Sequence, residues 1–170
     1  MSNPNPIEPW LRGPVPGVHR LLAPLIYSLQ HAREDLEKWT EGLTDDQVWA
    51  RPLGLAPIGF QIRHIGGSVE RLMVYVTGGQ LTDEQLAEVS AQMDPGESLA
   101  QVLARCNERL SAAEAKVRQI DPATLSQPRE VGRKRLPTTV GGLLTHIAEH
   151  MQRHVGEAIV TARVLRATQS

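Results

Sequence analysis

Leu144-Thr-His146-Ile-Ala-Glu-His150-Met-Gln-Arg-His154-Val-Gly-Glu157-Ala-Ile-Val-Thr-Ala-Arg-Val-Leu165 is the stretch that decides the fold. Ile147, Met151, Val155, Ala158, Ala162 and Leu165 recur at spacings of three and four, the period of one buried face of an α-helix. Thr138 or Thr139 is placed to cap its start, so the spacing predicts a helix over 139–167.

Upstream, the same period appears three more times. Leu21, Leu22, Leu25, Ile26, Leu29, Ala32, Leu36 and Trp39 predict a helix over 18–40, with Pro24 marking either a late start or a kink. Pro57 opens a second long helix over 57–77, closed by Gly78-Gly79, and Ser98 caps a third over 98–120. Thr44-Asp-Asp-Gln47 reads as a capping box on a short helix to Trp49, and Thr82-Asp-Glu-Gln85 opens another to about Ser90. Pro122, Pro128, Gly132 and Pro137 predict an irregular connection before the last helix. Four long helices with structured connections predict an all-α four-helix bundle over 18–170. Pro4, Pro6, Pro9, Pro14 and Pro16 make residues 1–17 an extended N-terminal arm.

Composition narrows the function classes. A chain of 170 residues is of single-domain size and carries 18 Lys+Arg against 19 Asp+Glu, without the cationic excess that a nucleic-acid binder needs. Aromatic residues make up only 4%, in keeping with a helical chain poor in strand formers. Cys106 is the single cysteine, so neither an intrachain disulfide nor a thiolate metal cluster is expected. The first residues have no basic and apolar signal-peptide pattern, and no apolar run approaches a membrane span. A soluble, cytoplasmic protein with no nucleic-acid or membrane partner is expected.

The histidines carry the chemistry. His146, His150 and His154 lie at i, i+4 and i+8, so neighbours in the series stack on one helix face. Two imidazoles at this spacing can chelate one ion. The outer pair is separated by a rise of roughly 12 Å, so all three cannot. Either His146 with His150 or His150 with His154 is the candidate. On a helical wheel the series flanks the apolar stripe, whose centre lies about 100° away, and Glu157 and Thr161 continue its line. His64 bears a similar relation to the stripe of the second long helix, with Phe60 and Gln61 above it and Ser68, Arg71 and Tyr75 below. Taken singly, such histidines are ordinary packed side chains; together, two helices offering inward-edge imidazoles set a metal site level with that reading. Three imidazoles with an open position would form a catalytic type of centre, and imidazole suits zinc, nickel, copper or iron. Met151 follows His150, so the glutamate of the HExxH metalloproteases is missing.

Leu43-Thr-Asp-Asp-Gln-Val-Trp-Ala-Arg-Pro52, Ile62-Arg-His64-Ile and Leu144 to Gly156 resemble the DinB-like superfamily of metal-binding four-helix bundles. The resemblance covers almost the whole chain beyond residue 18. It implies a divalent metal, zinc or nickel foremost with iron or manganese as alternatives, held by His64, His150 and His154. It places His146 behind them. Arg153 and Val155-Gly156-Glu157 depart from the family's usual residues without touching a ligand. The resemblance further implies a homodimer and a small-molecule substrate, with water or a low-molecular-weight thiol activated for hydrolysis or S-transfer. Phe60, Gln61, Ser68, Arg71 and Tyr75 are the candidate pocket lining. Glu157 is the candidate general base, or else a carboxylate that orients a ligand imidazole.

The remaining signals are weaker. Arg129, Arg133, Lys134 and Arg135 are a solvated connection, or a grip on an anionic thiol cofactor if they reach the mouth of the site. Cys106 is read as core, and His19 and His31, about 120° apart on their helix, as structural. Three classes compete: a metal-dependent enzyme, a module that binds metal or ligand without turnover, and a dimeric structural bundle with a vestigial site.

Overall fold

The computed structural model describes residues 7–168; Pro4, Pro6 and the rest of the arm before residue 7 lie outside them. Six α-helices and one hairpin follow in order: α1 Ala23–Thr40, α2 Asp45–Trp49, α3 Ile58–Val76, α4 Asp83–Ser90, α5 Leu99–Val117, strands β1 Pro128–Val131 and β2 Leu136–Thr139, and α6 Val140–Ala167. The four long helices α1, α3, α5 and α6 form the bundle. Its core is aliphatic, with Ile26, Leu29, Ile62, Ile65, Leu110, Ile147 and Met151 wholly or almost wholly inaccessible to solvent.

Capping fixes where the helices begin. Thr44 with Gln47, Thr82 with Gln85 and Ser98 with Gln101 each form a reciprocal capping box, and Thr139 Oγ1 accepts the Gly142 N–H at 3.0 Å. Such a cap contributes about 1 kcal/mol. The first helix starts at Ala23 rather than at residue 18, because Pro24 falls in its first turn, where its missing N–H costs nothing. The third long helix ends at Val117, and residues 118–120 lie outside it.

The expected irregular connection before α6 contains an antiparallel hairpin that pairs Pro128 with Thr139 and Val131 with Leu136. Gly132 and Arg135 take positive φ angles in its turn, and this lets four-residue strands close. The N-terminal arm includes a 3-10 turn at Pro9–Leu11. It is tied down by Arg12 on Glu34 at 2.7 Å and by Tyr27 Oη donating to the Gly13 carbonyl at 3.0 Å.

Side-chain pairings give the helix directions. Thr161 meets Ala56, His154 meets Gln61 and His150 meets His64, so α6 runs antiparallel to α3. Gln152 reaches Ser28 and Arg166 reaches Trp39, so α6 runs parallel to α1. Gly66 packs on Cys106 while Glu70 pairs with Arg109, so α3 and α5 are parallel too. The bundle is therefore up-down-down-up. Its consecutive parallel helices α3 and α5 require a connection that returns along the length of α3, about 28 Å for its 19 residues. Residues 77–98 make that return, with α4 inside it.

Candidate metal centre

The antiparallel α3–α6 pair brings one imidazole of α3 against two of α6. His64 Nε2 lies 3.0 Å from His150 Nε2, and the His154 ring centroid is 4.3 Å from that of His64 and 4.6 Å from that of His150. Each ring offers one nitrogen, and all three nitrogens lie within 4.8 Å of one another. Nitrogens about 2.1 Å from a tetrahedral ion stand about 3.4 Å apart, so the cluster has the dimensions of a three-imidazole site.

The proton positions suit the same role. His64 Nδ1 is 2.9 Å from Gln92 Oε1, and His154 Nδ1 is 2.7 Å from Gln61 Oε1 and 3.0 Å from Glu157 Oε2. Both partners are acceptors, so each Nδ1 carries the ring proton and each Nε2 presents its lone pair. Burial lowers the His64 pKa. Burial first, then the charges of His154, His64, His146 and Arg153, push His150 down to about 4. Neutral imidazoles are the ligating form, so the donor set fits a divalent cation.

His146 is outside the cluster. Its exposed ring holds Glu149 through Nδ1 at 2.8 Å and stands 5.4 Å, centroid to centroid, from His150. The wheel left His146 and His154 equivalent; α3 lies on the His154 side and separates them. Phe60 stacks on His64 at 5.4 Å. Gln61 is buried and serves His154, as just described. Ser68 is buried and donates to the Ile65 carbonyl, and Tyr75 sits in the hydrophobic core. Arg71 is buried beside the crossover, and burial lowers its pKa. Glu157, half exposed, meets His154 on the nitrogen away from the cluster, a contact that orients the ring. Cys106 is core, its thiol pushed up to about 12 by burial. His31 lies 3.4 Å from Asp35, and His19 Nδ1 accepts the Leu21 N–H at 3.3 Å, both local contacts.

The basic connection is not at the mouth of the centre. Arg129 donates to the Val76 carbonyl at 2.9 Å and Arg135 pairs with Glu130, while Lys134 is exposed on the hairpin turn. Val76 is a rise of about 18 Å along α3 from His64.

A family model of the DinB superfamily matches residues 28–158. The chain belongs to the DinB superfamily. YfiT from Bacillus subtilis, described as "a probable metal-dependent hydrolase with an unusual four-helix bundle topology", has a similar fold. The TM-score is 0.65 at 16% identity, over 89% of this chain and 91% of that one. No curated protein matches the sequence.

In this DinB chain the crossover supplies a site residue that sequence reasoning missed. Gln92 lies in the 3-10 turn Ala91–Met93 that follows α4, is buried, and accepts from His64. Arg63, the residue before His64, holds that turn in place. Its guanidinium donates to the Ala91 carbonyl at 3.3 Å and to the Asp94 carbonyl, and pairs with Glu97 at 2.6 Å. Trp49 completes the clamp: its ring lies 4.4 Å beneath the Arg63 guanidinium, and its indole N–H donates to the Glu97 carbonyl at 2.7 Å. Gly59 makes room for that ring, since a Cβ there would stand 2.7 Å from it.

Proposed function

We propose that the protein is a divalent-metal-dependent enzyme whose ion is held by Nε2 of His64, His150 and His154. The observation that carries this reading is the convergence of three imidazoles, two of which, His64 and His154, meet acceptors at Nδ1 in Gln92, Gln61 and Glu157 and so turn Nε2 inward. With three protein ligands and an open position, zinc or nickel, or alternatively iron or manganese, supplies Lewis acidity that lowers the pKa of water or of a small thiol.

The chain's own residues hold the donor set in place. Gln61 and Glu157 fix the His154 ring, Gln92 fixes His64, and Phe60 covers a face of His64. Met151 follows His150, so proton transfer in the manner of the HExxH proteases has no residue to perform it. Hydrolysis of a small molecule or transfer of a thiol to an electrophile are the reactions that such a centre supports. YfiT's description as a probable metal-dependent hydrolase supports the first.

Metal content of untagged protein tests the reading. After reconstitution with zinc or nickel, wild type is expected to hold one equivalent. His64→Ala, His150→Ala and His154→Ala each lose most of it, while His146→Ala, His31→Ala and His19→Ala keep it. Loss in His146→Ala with retention in His154→Ala would assign the other register. A wild type that binds neither metal overturns the proposal. Turnover of an activated ester against turnover of a thiol with an electrophile then separates hydrolase from transferase.

A further inference from the structure

Three donor nitrogens from three elements close on Gly67 of α3. A Cβ at this residue would stand 2.8 Å from Arg71 Nη1 and from Gln92 Nε2, and 3.4 Å from Arg109 Nη1. Arg71 Nη1 and Gln92 Nε2 are buried and have no hydrogen-bond partner, on residues only 9% and 3% exposed. Arg109 spends its other nitrogens on Glu70 at 3.1 Å and Glu88 at 2.6 Å. Both carboxylates pair with Arg109; they act on the Arg71 charge from farther off, and among the described residues none reaches Arg71 within ion-pair distance. Buried polar groups in native proteins are almost always satisfied, and an unmet pair points to an ion or a water. Here every converging atom is a donor. A water accepts two hydrogen bonds and must still place its own hydrogens, whereas an anion accepts from all three and offsets the guanidinium charge.

The Gln92 carboxamide has one alternative. Turned over, its oxygen faces Arg71 and its nitrogen faces His64. That arrangement makes His64 Nδ1 an acceptor and moves the ring proton to Nε2, the nitrogen 3.0 Å from His150. His64 then has no lone pair for an ion. Ligation by His64 and satisfaction of Arg71 by Gln92 are mutually exclusive.

We propose that Arg71 and Gln92, with Arg109 beside them, form a binding site for a small anion of carboxylate type, coupled to the metal centre through the Gln92 carboxamide. The coupling rests on the metal reading given above. The loaded centre fixes Gln92 with its N–H groups towards Arg71 and so needs the anion; the metal-free centre can turn the amide and does without it. Each ligand therefore strengthens the other by the same factor.

Formate, the smallest carboxylate, is the probe. Calorimetric titration of the full chain at constant ionic strength should show one formate site on zinc-loaded wild type, weaker by about tenfold in the metal-free form. Arg71→Met should bind one zinc and lose the formate site. Gln92→Glu carries its own carboxylate between His64 and Arg71, so it should bind zinc without formate dependence even if Arg71→Met fails to fold. Formate binding unchanged in Arg71→Met, or zinc affinity in Gln92→Glu as formate-dependent as in wild type, overturns the anion site and leaves the metal centre standing. If wild type binds no zinc, the metal reading falls by itself. Formate binding to the metal-free chain that is lost in Arg71→Met then sustains the anion site, and its absence overturns it.

Discussion

Glu157 shows how much one side chain's position decides. It continues the histidine line of α6, and its carboxylate ends on His154 Nδ1 at 3.0 Å, sharing that proton with Gln61. A carboxylate on the outer nitrogen makes the imidazole a better donor, and losing such a partner typically weakens metal affinity by about 10–100-fold. Glu157→Gln keeps an acceptor and removes the charge. Its zinc affinity, measured by competition with a chromophoric chelator, should fall by about tenfold while saturation still reaches one equivalent. Wild-type affinity with turnover lost would instead give Glu157 the proton-transfer role. The same logic explains why His146 carries no such weight: its carboxylate partner, Glu149, is there, but no imidazole of α3 faces it.

At the scale of elements, the centre depends on the crossover as much as on the helices. Arg63 ties residues 91–97 to α3 through carbonyls and Glu97, and that tie holds Gln92 on His64. Arg63→Met keeps the aliphatic stem and removes the donors. Amide exchange across residues 91–97 should then speed up, and zinc affinity should fall by about tenfold as His64 loses its acceptor. Unchanged exchange in that segment would show that Trp49 and Glu97 hold it without Arg63. The long helices and their caps were legible in the sequence, because period and capping are local signals; spacing singled out His64 and the His146-His150-His154 series, and the family resemblance alone chose His64, His150 and His154 among them. The parallel run of α3 and α5 was not, since a 3.6-residue period records which face is buried and not which neighbour buries it. Gln92 was invisible for a related reason: it sits in a turn, where no period marks an inward-facing residue. The hairpin escaped because Pro128, Pro137 and a basic turn read as an interruption, and pairing across Gly132 is a tertiary fact.

The whole molecule feels the centre through its proton balance. An unfolded histidine titrates near 6.5, whereas His150 in the folded chain is held down to about 4 by burial and neighbouring positive charge. Between those values the unfolded state binds the extra proton, so stability is complete above pH 6.5 and is lost as pH falls towards 4. Burial of His64 adds to the effect in the same direction. The melting temperature of metal-free protein should drop across this window, and His150→Gln should flatten the slope. A melting temperature indifferent to pH between these limits would contradict the burial of these rings. Bound zinc should raise the melting temperature at neutral pH by mass action and lose that effect in the same acid range.

The up-down-down-up arrangement also sets an order in time. One of the three clustered imidazoles sits on α3 and the other two on α6, which docks antiparallel to α3 and parallel to α1. Before α6 docks, the first three long helices carry one member of the cluster, His64, with neither His150 nor His154 beside it. An ion bound by this set would be captured only once α6 has closed on α3, as a seal on the assembled bundle rather than a nucleus on which the fold is built.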